Sequence, residues 1–562
     1  MALMAVFLFA ILPSIVGCSR QLPPDDTLVI GQVAEPRSLD PHVTTALNDF
    51  RILVNLYEGL VRYRPGTLEP MPGLAESWSV SDDGRVYEFK LRADVRFHDG
   101  SRFDAEAVRF NFERMLDADH PSHDTGPFPL AFFFEQIQRV EVVDALTIRF
   151  VLDAPFAPFL SNLAYPTGLI VSPAAVRRYG REFGRYPSGT GPFRFSDWRS
   201  GRRVTLERFE HYHGEHAASR RLIFRPITDP MTRVAELMAG GIDLALELSP
   251  DNVAAFRDRP AYRVLEATGP HLWFLILNTR DGPLADLRVR HALNLAIDKQ
   301  SLVRDVLRDT AERADGPVPR AFAWAVDPDL PAEPLDRNRN RDRDRDRDRD
   351  RGRASDRGLA LNQARALLAE AGYRNGMQLD FLVPRGGSGM LAPLAMATAI
   401  QGDLARIGID AVIQSYEWNA YLARVNAGLD ADADMAAMAW MTNDPDTLPY
   451  LALRCDAEPG QGGFNSGYYC NPEVDDLIEQ ARRATDRDQR ASLYRSLARL
   501  VQRHAPWVVV ASWRQNLVTQ RRVQDLRLEP SFFLRLEHTW KQGAPEWESE
   551  WAPQWDPEWD PE

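Results

Sequence analysis

Strand-like and helix-like hydrophobic patterns follow one another along most of the chain. Apolar and polar residues alternate on both sides of an Asp-Asp-Gly-Arg turn at residues 82–85, which predicts a β-hairpin. Asp104 directly precedes a helical pattern and is predicted to be its N-cap. Residues 271–278 predict a buried strand, and the apolar spacing of residues 286–307 predicts a strong amphipathic helix.

The stretch from residue 440 to 478 combines a strand end, a turn and two cysteines. Residues 435–441 predict a strand that contains Trp440, and an Asn-Asp-Pro-Asp turn with Asp444 and Asp446 ends it. An aromatic side chain beside a carboxylate-bearing turn can form a ligand site, because the indole is a flat apolar wall and the carboxylate is a fixed anion. An ordinary surface turn is the alternative, since Asp-Pro-Asp is common turn chemistry.

Two segments lack any hydrophobic period. Residues 336–357 alternate Arg with Asp or Asn and contain almost no apolar side chain, which predicts a solvated, disordered insertion. The charges of this insertion nearly cancel, so it differs from a polybasic arm. Residues 541–562 are rich in Trp, Pro and acidic residues and are predicted to form a disordered tail.

Composition narrows the class of protein. A chain of 562 residues, of which 44% are hydrophobic, can form about three to four globular domains. The formal net charge is -13, which argues against nucleic acid as the main partner because phosphate binding needs clustered cations.

The first residues of the chain resemble an export signal. Residues 1–17 are nearly all apolar, shorter than the roughly 20 residues of a membrane-spanning helix, and end in Gly17 directly before Cys18. The Ile-Val-Gly-Cys sequence resembles a bacterial lipobox, in which the cysteine is acylated. No Lys or Arg precedes the apolar run, so a start further upstream and a core helix are the alternatives. Export would permit a Cys455–Cys470 disulfide, worth about 3 kcal/mol in the chain-entropy model.

Motifs for catalysis or metal binding are weak. The three histidines within residues 211–216 could hold a divalent metal together with Glu215, but the local pattern predicts a loop between strands. The chain has no Gly-x-Ser-x-Gly motif, and Asp444 and Asp446 are too close in one turn to assure the facing carboxylates of a glycosidase. We therefore predict no catalytic residues, no metal and no cofactor, and a hydrolase is the less favoured alternative.

A series of short motifs occurs in one order along nearly the whole chain. The motifs are S-L-D-P (38–41), N-L-Y-E-G-L (55–60), L-A-E-S-W (74–78), F-K-L-R (89–92), F-H-D-G (97–100), A-E-A-V (105–108), S-G-T-G-P-F (188–193), G-G-I-D (240–243), R-V-R-H-A-L-N-L-A-I-D (288–298), A-R-A-L-L-A-E-A-G-Y (364–373), D-P-D (444–446) and Y-C-N-P-E-V-D (469–475). In this order they resemble the bacterial extracytoplasmic solute-binding proteins of the peptide/nickel class, which serve ABC importers.

The resemblance implies an α/β, two-lobed periplasmic-binding-protein fold with an extra domain. A hinge would join the lobes, and mixed sheets flanked by helices would build them. The implied ranges are 19–48, 187–278 and 505–540 for a discontinuous lobe I, 49–186 for the extra domain, and 279–504 for lobe II, which would include the Arg/Asp-rich insertion.

The resemblance also implies a function without catalysis. The chain would be the substrate-binding component of an ABC importer and would capture a small solute by closure of the lobes. The first expectation for this solute is a di- or oligopeptide or a peptide-like compound. Its partners would be that ligand, the transmembrane permease subunits and, through a lipid anchor at Cys18, the membrane. The location would be the periplasm or cell envelope. Nickel, haem, an opine or a sugar as ligand, and a sensor without transport, are the alternatives.

Some site residues follow from the same resemblance. In peptide-binding members, an aspartate after a tryptophan near the Asp-Pro-Asp stretch pairs with the ammonium of the peptide. Here the loop between Trp440 and Asp-Pro-Asp is shorter, so Asp444 is the candidate for that role. The bracketed Cys455 and Cys470 resemble the disulfide of the dipeptide-type subgroup. The predicted ligand-binding residues are Glu35, Asn278, Trp418, Trp440, Asp444 and Asp446.

Overall fold

The computed structural model describes residues 26–330, 349–387, 389–430 and 433–542. The predicted export signal, Cys18, residues 331–348 of the Arg/Asp-rich segment and residues 543–562 of the predicted tail lie outside these ranges.

The strands are short apart from the last long one. In chain order the described strands are β1 (Thr27–Gln32), β2 (Val61–Tyr63), β3 (Pro70–Pro72), β4 (Ala75–Val80), β5 (Val86–Leu91), β6 (Ile137–Asp144), β7 (Thr147–Leu152), β8 (Phe193–Arg199), β9 (Arg203–Arg208), β10 (Arg221–Pro226), β11 (Leu244–Leu246), β12 (Tyr262–Thr268), β13 (His271–Leu277), β14 (Ala311–Arg313), β15 (Met377–Pro384), β16 (Ile409–Tyr416), β17 (Met435–Met441), β18 (Trp507–Gln520), β19 (Val523–Gln524) and β20 (Trp540–Lys541).

Helices lie between the strands. The described α-helices are α1 (Leu47–Leu56), α2 (Ala105–Leu116), α3 (Phe159–Ala164), α4 (Pro173–Tyr179), α5 (Pro230–Met238), α6 (Pro250–Arg257), α7 (Leu287–Ala296), α8 (Lys299–Ser301), α9 (Arg349–Glu370), α10 (Pro393–Ala405), α11 (Trp418–Val425), α12 (Thr447–Ala452), α13 (Pro472–Arg483) and α14 (Arg487–His504). Six short 3₁₀ segments occur at His123–Thr125, Ala131–Phe134, Pro166–Gly168, Gly180–Arg185, Pro283–Ala285 and Arg320–Phe322, and a π turn at Leu302–Val306 follows α8.

Local sequence signals account for several of these elements. The Asp104 side chain accepts a hydrogen bond from the backbone N–H of Ala107, which confirms the predicted N-cap of α2. The hairpin of β4 and β5 and the buried strand β13 are also as predicted. The single helix predicted for residues 286–307 is wrong in one respect. It stops after Ala296, because the Asp298 carboxylate accepts from Ser301 N–H and caps a second helix.

One strand is shared by the two halves of the main sheet. The strand order is β16-β15-β17-β13-β18-β11-β1-β10-β9-β8, and β12 and β14 also pair with β18. The first part of β18 pairs with β13 and β14, whereas its last part pairs with β11 and β12. The chain therefore crosses between the halves twice, once within β18 and once between β12 and β13. The crossings lie between Thr268 and His271 and near Trp513, while the position of the hinge and the domain boundaries stay predictions.

Buried side chains alternate across each half of this sheet. In β13, Trp273, Leu275 and Leu277 pack into one core with α7, α9 and α10, and the intervening Leu272, Phe274 and Ile276 pack into a second core with α11, α13 and α14. This alternation is the two-residue period of a strand that is covered on both faces. It explains why β13 is hydrophobic at nearly every position.

A four-stranded sheet in the order β4-β5-β7-β6 lies within the range predicted for the extra domain. Its inner face contributes Phe89 and Phe150 to a core that also contains Leu28, Phe224 and Leu517 of the main sheet. The small sheet therefore shares its core with the β1 half of the main sheet.

The described ends of both low-complexity segments form regular secondary structure, which differs from the predictions for these residues. Helix α9 begins at Arg349, so residues 349–357 are helical rather than disordered. The Arg357 guanidinium donates to the carbonyl oxygens of Leu295 and Ala296, which fixes the helix against the end of α7. Lys541, predicted to open the tail, is buried in β20, where its ammonium donates to the carbonyl of Thr27.

Three histidines whose pKa is lowered by burial make the stability of this fold pH-dependent. Burial lowers the pKa of His42, His98 and His271 from 6.5 to about 4. Below pH 6.5 the unfolded chain binds protons that the folded chain does not, so the free energy of unfolding falls as the pH falls from 6.5 to 4. The loss is about 3 kcal/mol for each histidine. Burial also raises the pKa of Asp49 and of Asp446 to about 6, which acts in the opposite direction between pH 6 and 3.8.

We expect His42→Gln to flatten the pH dependence of the free energy of unfolding between pH 6.5 and 4.5, because one histidine with a lowered pKa is then absent. Urea unfolding at several pH values measures this slope. His211→Gln at an exposed site is the control and should leave the slope unchanged. Equal slopes for wild type and His42→Gln would contradict the assignment.

Candidate functional site

A cavity of about 270 Å³ lies where the ends of β13 and β17 approach α1 and residues 130–133. Seven aromatic residues line it: Phe132, Phe133, Tyr165, Trp418, Trp440, Trp513 and Phe532. The other lining residues are Thr45, Leu47, Leu130, His271, Gly389, Ala439, Met441, Thr447 and Leu451. We refer to this space as the aromatic cavity. Its size is close to the lower end of the roughly 300–1,000 Å³ of small-molecule pockets.

The aromatic cavity lies between separate hydrophobic cores. Phe133 and Phe532 belong to the core shared by β1, α1 and the four-stranded sheet. Trp418 packs against both cores of the β13 half, and Trp440 packs against one of them. The lining therefore comes from both sides of the strand crossings. A ligand held here would contact both halves of the molecule.

The two predicted tryptophans are both on this lining. Trp418 opens α11, and its ring stacks on Tyr421 with centroids 6.0 Å apart. Gly387 lies against the same indole, where a Cβ atom would overlap the ring. Trp440, at the end of β17, meets Phe464 edge-on at 5.1 Å. Each indole is thus held by packing before any ligand arrives.

A disulfide supports the Trp440 wall. Cys455 and Cys470 are bonded, with their Cα atoms 4.4 Å apart. The loop that they close carries Phe464, the aromatic neighbour of Trp440, and leads directly into α13. The predicted disulfide is present in the structure and ties the loop to the start of that helix.

His271 joins the crossing strands to the cavity wall. Its Nε2 lies 3.0 Å from the carbonyl oxygen of Gly389, and its Nδ1 accepts a hydrogen bond from the backbone N–H of Trp513 at 3.3 Å. A carbonyl only accepts, so the proton is on Nε2 and the ring is neutral. Burial agrees with this state, because it lowers the pKa of His271 to about 4. The sequence predicted the strand but missed this residue, whose only signal was a polar side chain at the start of a buried strand.

The predicted acidic residues lie outside the cavity lining. The Asp444 carboxylate accepts from both terminal nitrogens of Arg490, one of them at 3.1 Å, and Asp446 accepts from Arg482 at 3.0 Å. Asp444 and Asp446 are only 2% and 4% exposed. Burial raises the pKa of Asp446 to about 6 although Arg482 opposes it. In this geometry Asp444 pairs with Arg490 inside the protein, and its role in pairing with a ligand ammonium stays a prediction. The partners come from α13 and α14, which the local turn pattern could not show.

Glu35 and Asn278 also lie away from the lining. The Glu35 carboxylate accepts hydrogen bonds from Trp198 Nε1 and from the backbone N–H of Gly201, at 2.8 and 2.9 Å. Burial alone would raise the pKa of Glu35, but these hydrogen bonds lower it below its ordinary value. The Asn278 side chain is buried and accepts from the backbone N–H groups of Arg280 and Asp281. Both side chains hold turns in this structure, and their roles in ligand binding stay predictions.

The histidine cluster is engaged in other contacts. His213 Nε2 lies 2.8 Å from the Glu58 carboxylate, and His216 lies 3.7 Å from Glu210. Within the part of the chain that the structure describes, no group of three His, Cys, Asp or Glu side chains is placed to hold a metal ion. In the same part, no helix has both the length and the apolar character to cross a bilayer.

Comparison with known proteins agrees with this architecture. The family model described as bacterial extracellular solute-binding proteins, family 5 Middle, matches residues 69–461. Di/tripeptide-binding protein 2 of Pseudomonas aeruginosa is 32% identical over 521 residues, which cover 90% of this chain and 93% of that protein. Heme-binding protein A of Haemophilus influenzae is 31% identical over 473 residues, or 81% of each chain. The crystal structure of a dipeptide-binding protein from a Pseudoalteromonas species with Met-Leu has a TM-score of 0.76 and 26% identity, covering 92% of this chain and all of that one.

We expect Asp444→Asn to destabilise the fold by about 3–5 kcal/mol, because Arg490 is then a buried charge without its partner. Urea unfolding measures the change. Asp305→Asn is the matched control, since Asp305 pairs with Arg304 at the surface, where such pairs contribute less than about 1 kcal/mol. A stable Asp444→Asn protein that has lost ligand binding would instead assign Asp444 to the ligand.

Proposed function

Because the chain belongs to the bacterial extracellular solute-binding proteins of family 5, we propose that it captures a small peptide or peptide-like compound in the aromatic cavity. It then delivers this ligand to the transmembrane subunits of an ABC importer. Capture involves binding and release of an unchanged ligand, without bond making or breaking.

The observation that carries the proposal is the double origin of the cavity lining. Phe133 and Phe532 come from one side of the strand crossings, and Trp418 and Trp440 come from the other. A ligand that contacts both sides favours the closed arrangement over the open one, and the shift is limited by the difference in affinity for the two. The proposed lobes are residues 19–48 with 187–278 and 505–540, and residues 279–504.

The relatives support a peptide as the ligand class. One is named a di/tripeptide-binding protein, and a solved relative was crystallised with the dipeptide Met-Leu. The cavity of about 270 Å³ suits a small ligand of this kind.

Export and anchoring complete the proposal. The family acts outside the cytoplasm, and we place the mature chain in the periplasm or cell envelope. Residues 1–17 would direct export, and acylation of Cys18 would hold the protein at the membrane. The support is the apolar run that ends in a small residue directly before the cysteine.

Calorimetric titration of the exported chain with di- and tripeptides tests this function. We expect saturable one-to-one binding, and mass spectrometry should recover each peptide intact after long incubation. Binding of nickel, haem, an opine or a sugar in place of every peptide would contradict the peptide proposal. Cleavage of a bound peptide would contradict the absence of catalysis.

We expect Trp440→Ala to weaken peptide binding at least tenfold, because it removes one aromatic wall worth about 2 kcal/mol of apolar burial. The same titrations measure the dissociation constants. Trp540→Ala is the control, since Trp540 is 40% exposed and lies outside the cavity lining. An unchanged dissociation constant in Trp440→Ala would show that the peptide does not bind in the aromatic cavity.

A further inference from the structure

The described lining of the aromatic cavity contains no Asp, Glu, Lys or Arg side chain. Its polar side chains are the hydroxyls of Thr45, Thr447 and Tyr165 and the imidazole of His271. The rest of the lining is aromatic or aliphatic apart from the backbone of Gly389. A charged ligand group inside this space would meet no ion of opposite sign on the described walls.

The polar side chains of the lining do not supply a charge. Both nitrogens of His271 are engaged, by Gly389 and by Trp513, in the neutral form of the ring. The Thr447 hydroxyl donates to the Asn443 side chain at 2.8 Å. Burial raises the pKa of Tyr165, so its hydroxyl is neutral as well. These groups can exchange hydrogen bonds with a ligand but cannot neutralise an ammonium or a carboxylate.

Three carboxylates close in sequence to the lining hold buried contacts within the protein. Asp444 and Asp446, on the turn before Thr447, are paired with Arg490 and Arg482. Asp49, two residues after Leu47, accepts from the Thr44 hydroxyl and from the backbone N–H of Arg37. Recruiting Asp444 or Asp49 would first break a buried contact, and release of Arg490 would leave a second charge unpaired. Oδ1 of Asp446 is buried without a hydrogen-bond partner, but Asp446 is not part of the cavity lining.

The free energies of burial favour an uncharged aromatic ligand group over a charged one. Burying an ammonium or carboxylate without a partner is strongly unfavourable, because the group loses its hydration and gains no ion of opposite sign. Burying an aromatic ring is favourable, and contact with aromatic side chains of the wall adds to the gain. Trp418, Trp440 and Trp513 offer such contacts.

We propose that the aromatic cavity takes an uncharged aromatic group of the ligand and excludes ammonium and carboxylate groups. This inference deepens the proposed function, because it names the part of a peptide that enters the cavity. Free ends of the peptide then lie outside the aromatic cavity.

Matched probes that differ in one charge test the inference by calorimetry. Gly-Phe-Gly is compared with Gly-Lys-Gly and Gly-Glu-Gly, and tryptophol is compared with tryptamine, which has the same indole but an ammonium in place of the hydroxyl. We expect the neutral member of each set to bind at least tenfold more tightly. Equal or tighter binding of the lysine peptide, the glutamate peptide or tryptamine would overturn the inference.

The two probe classes separate this inference from the proposed function. Binding of tryptophol over tryptamine without binding of any peptide would contradict the peptide proposal but support the uncharged aromatic guest. Equal binding of peptides with a charged and with an uncharged central residue would support the peptide proposal but contradict the uncharged aromatic guest. Failure of every probe would overturn both.

A carboxylate added to the wall of the aromatic cavity should weaken the preference for uncharged probes over cationic ones. In Met441→Asp, we expect the ratio of the dissociation constants of tryptamine and tryptophol to fall at least tenfold. The ratio for Gly-Lys-Gly and Gly-Phe-Gly should fall by at least the same factor. Thr45→Asp makes the same change on the opposite side, at an exposed position of the lining where folding is little affected. Met231→Asp is the control, because Met231 is 61% exposed and outside the cavity. An unchanged preference in folded Met441→Asp and Thr45→Asp proteins would contradict the inference.

Discussion

The 14-residue strand β18 is the constraint on which the rest of the arrangement depends. Its backbone hydrogen bonds belong to two sets of strands at once, so the halves of the main sheet are joined through one continuous segment. The second crossing, between β12 and β13, runs beside it, and Gly269 there donates to the carbonyl of Trp513. A Cβ atom on Gly269 would overlap the ring of Phe532, so only glycine lets that aromatic residue pack at the crossing. The aromatic cavity borders these contacts, because Trp513 and Phe532 also line it.

The aromatic cavity differs from its surroundings in charge, because the carboxylates of the neighbouring turn are buried in pairs with arginines. Turning Asp444 and Asp446 toward arginines of α13 and α14 removes two anions from the neighbourhood of the lining. Such pairs are weak sources of stability compared with apolar packing, but each partner is costly to remove. The effect on the site is that both carboxylates of the turn after β17 pair with arginines of the protein and lie outside the cavity lining. The aromatic side chains that precede it are then the groups left to meet a ligand.

Much of the fold could be predicted from local sequence, whereas much of the site could not. The cap at Asp104, the buried strand β13 and the Trp440 strand end follow from short-range patterns, and the order of family motifs implied the two-lobed architecture. Asp444 illustrates the limit, because Arg490 lies 46 residues away and its approach depends on how α14 packs. His271 illustrates it again, since its partners Gly389 and Trp513 are 118 and 242 residues distant. Glu35 and Asn278 were predicted as ligand-binding residues, but whether such a side chain lines the cavity is decided by tertiary packing.

The central claim is that two halves joined at β18 close over a ligand held between their aromatic walls. Small-angle X-ray scattering of the exported chain, recorded without ligand and at saturation with the tightest peptide from calorimetry, tests closure most directly. The account predicts a smaller radius of gyration in the saturated protein. An unchanged scattering profile at a concentration where calorimetry shows full occupancy would contradict it.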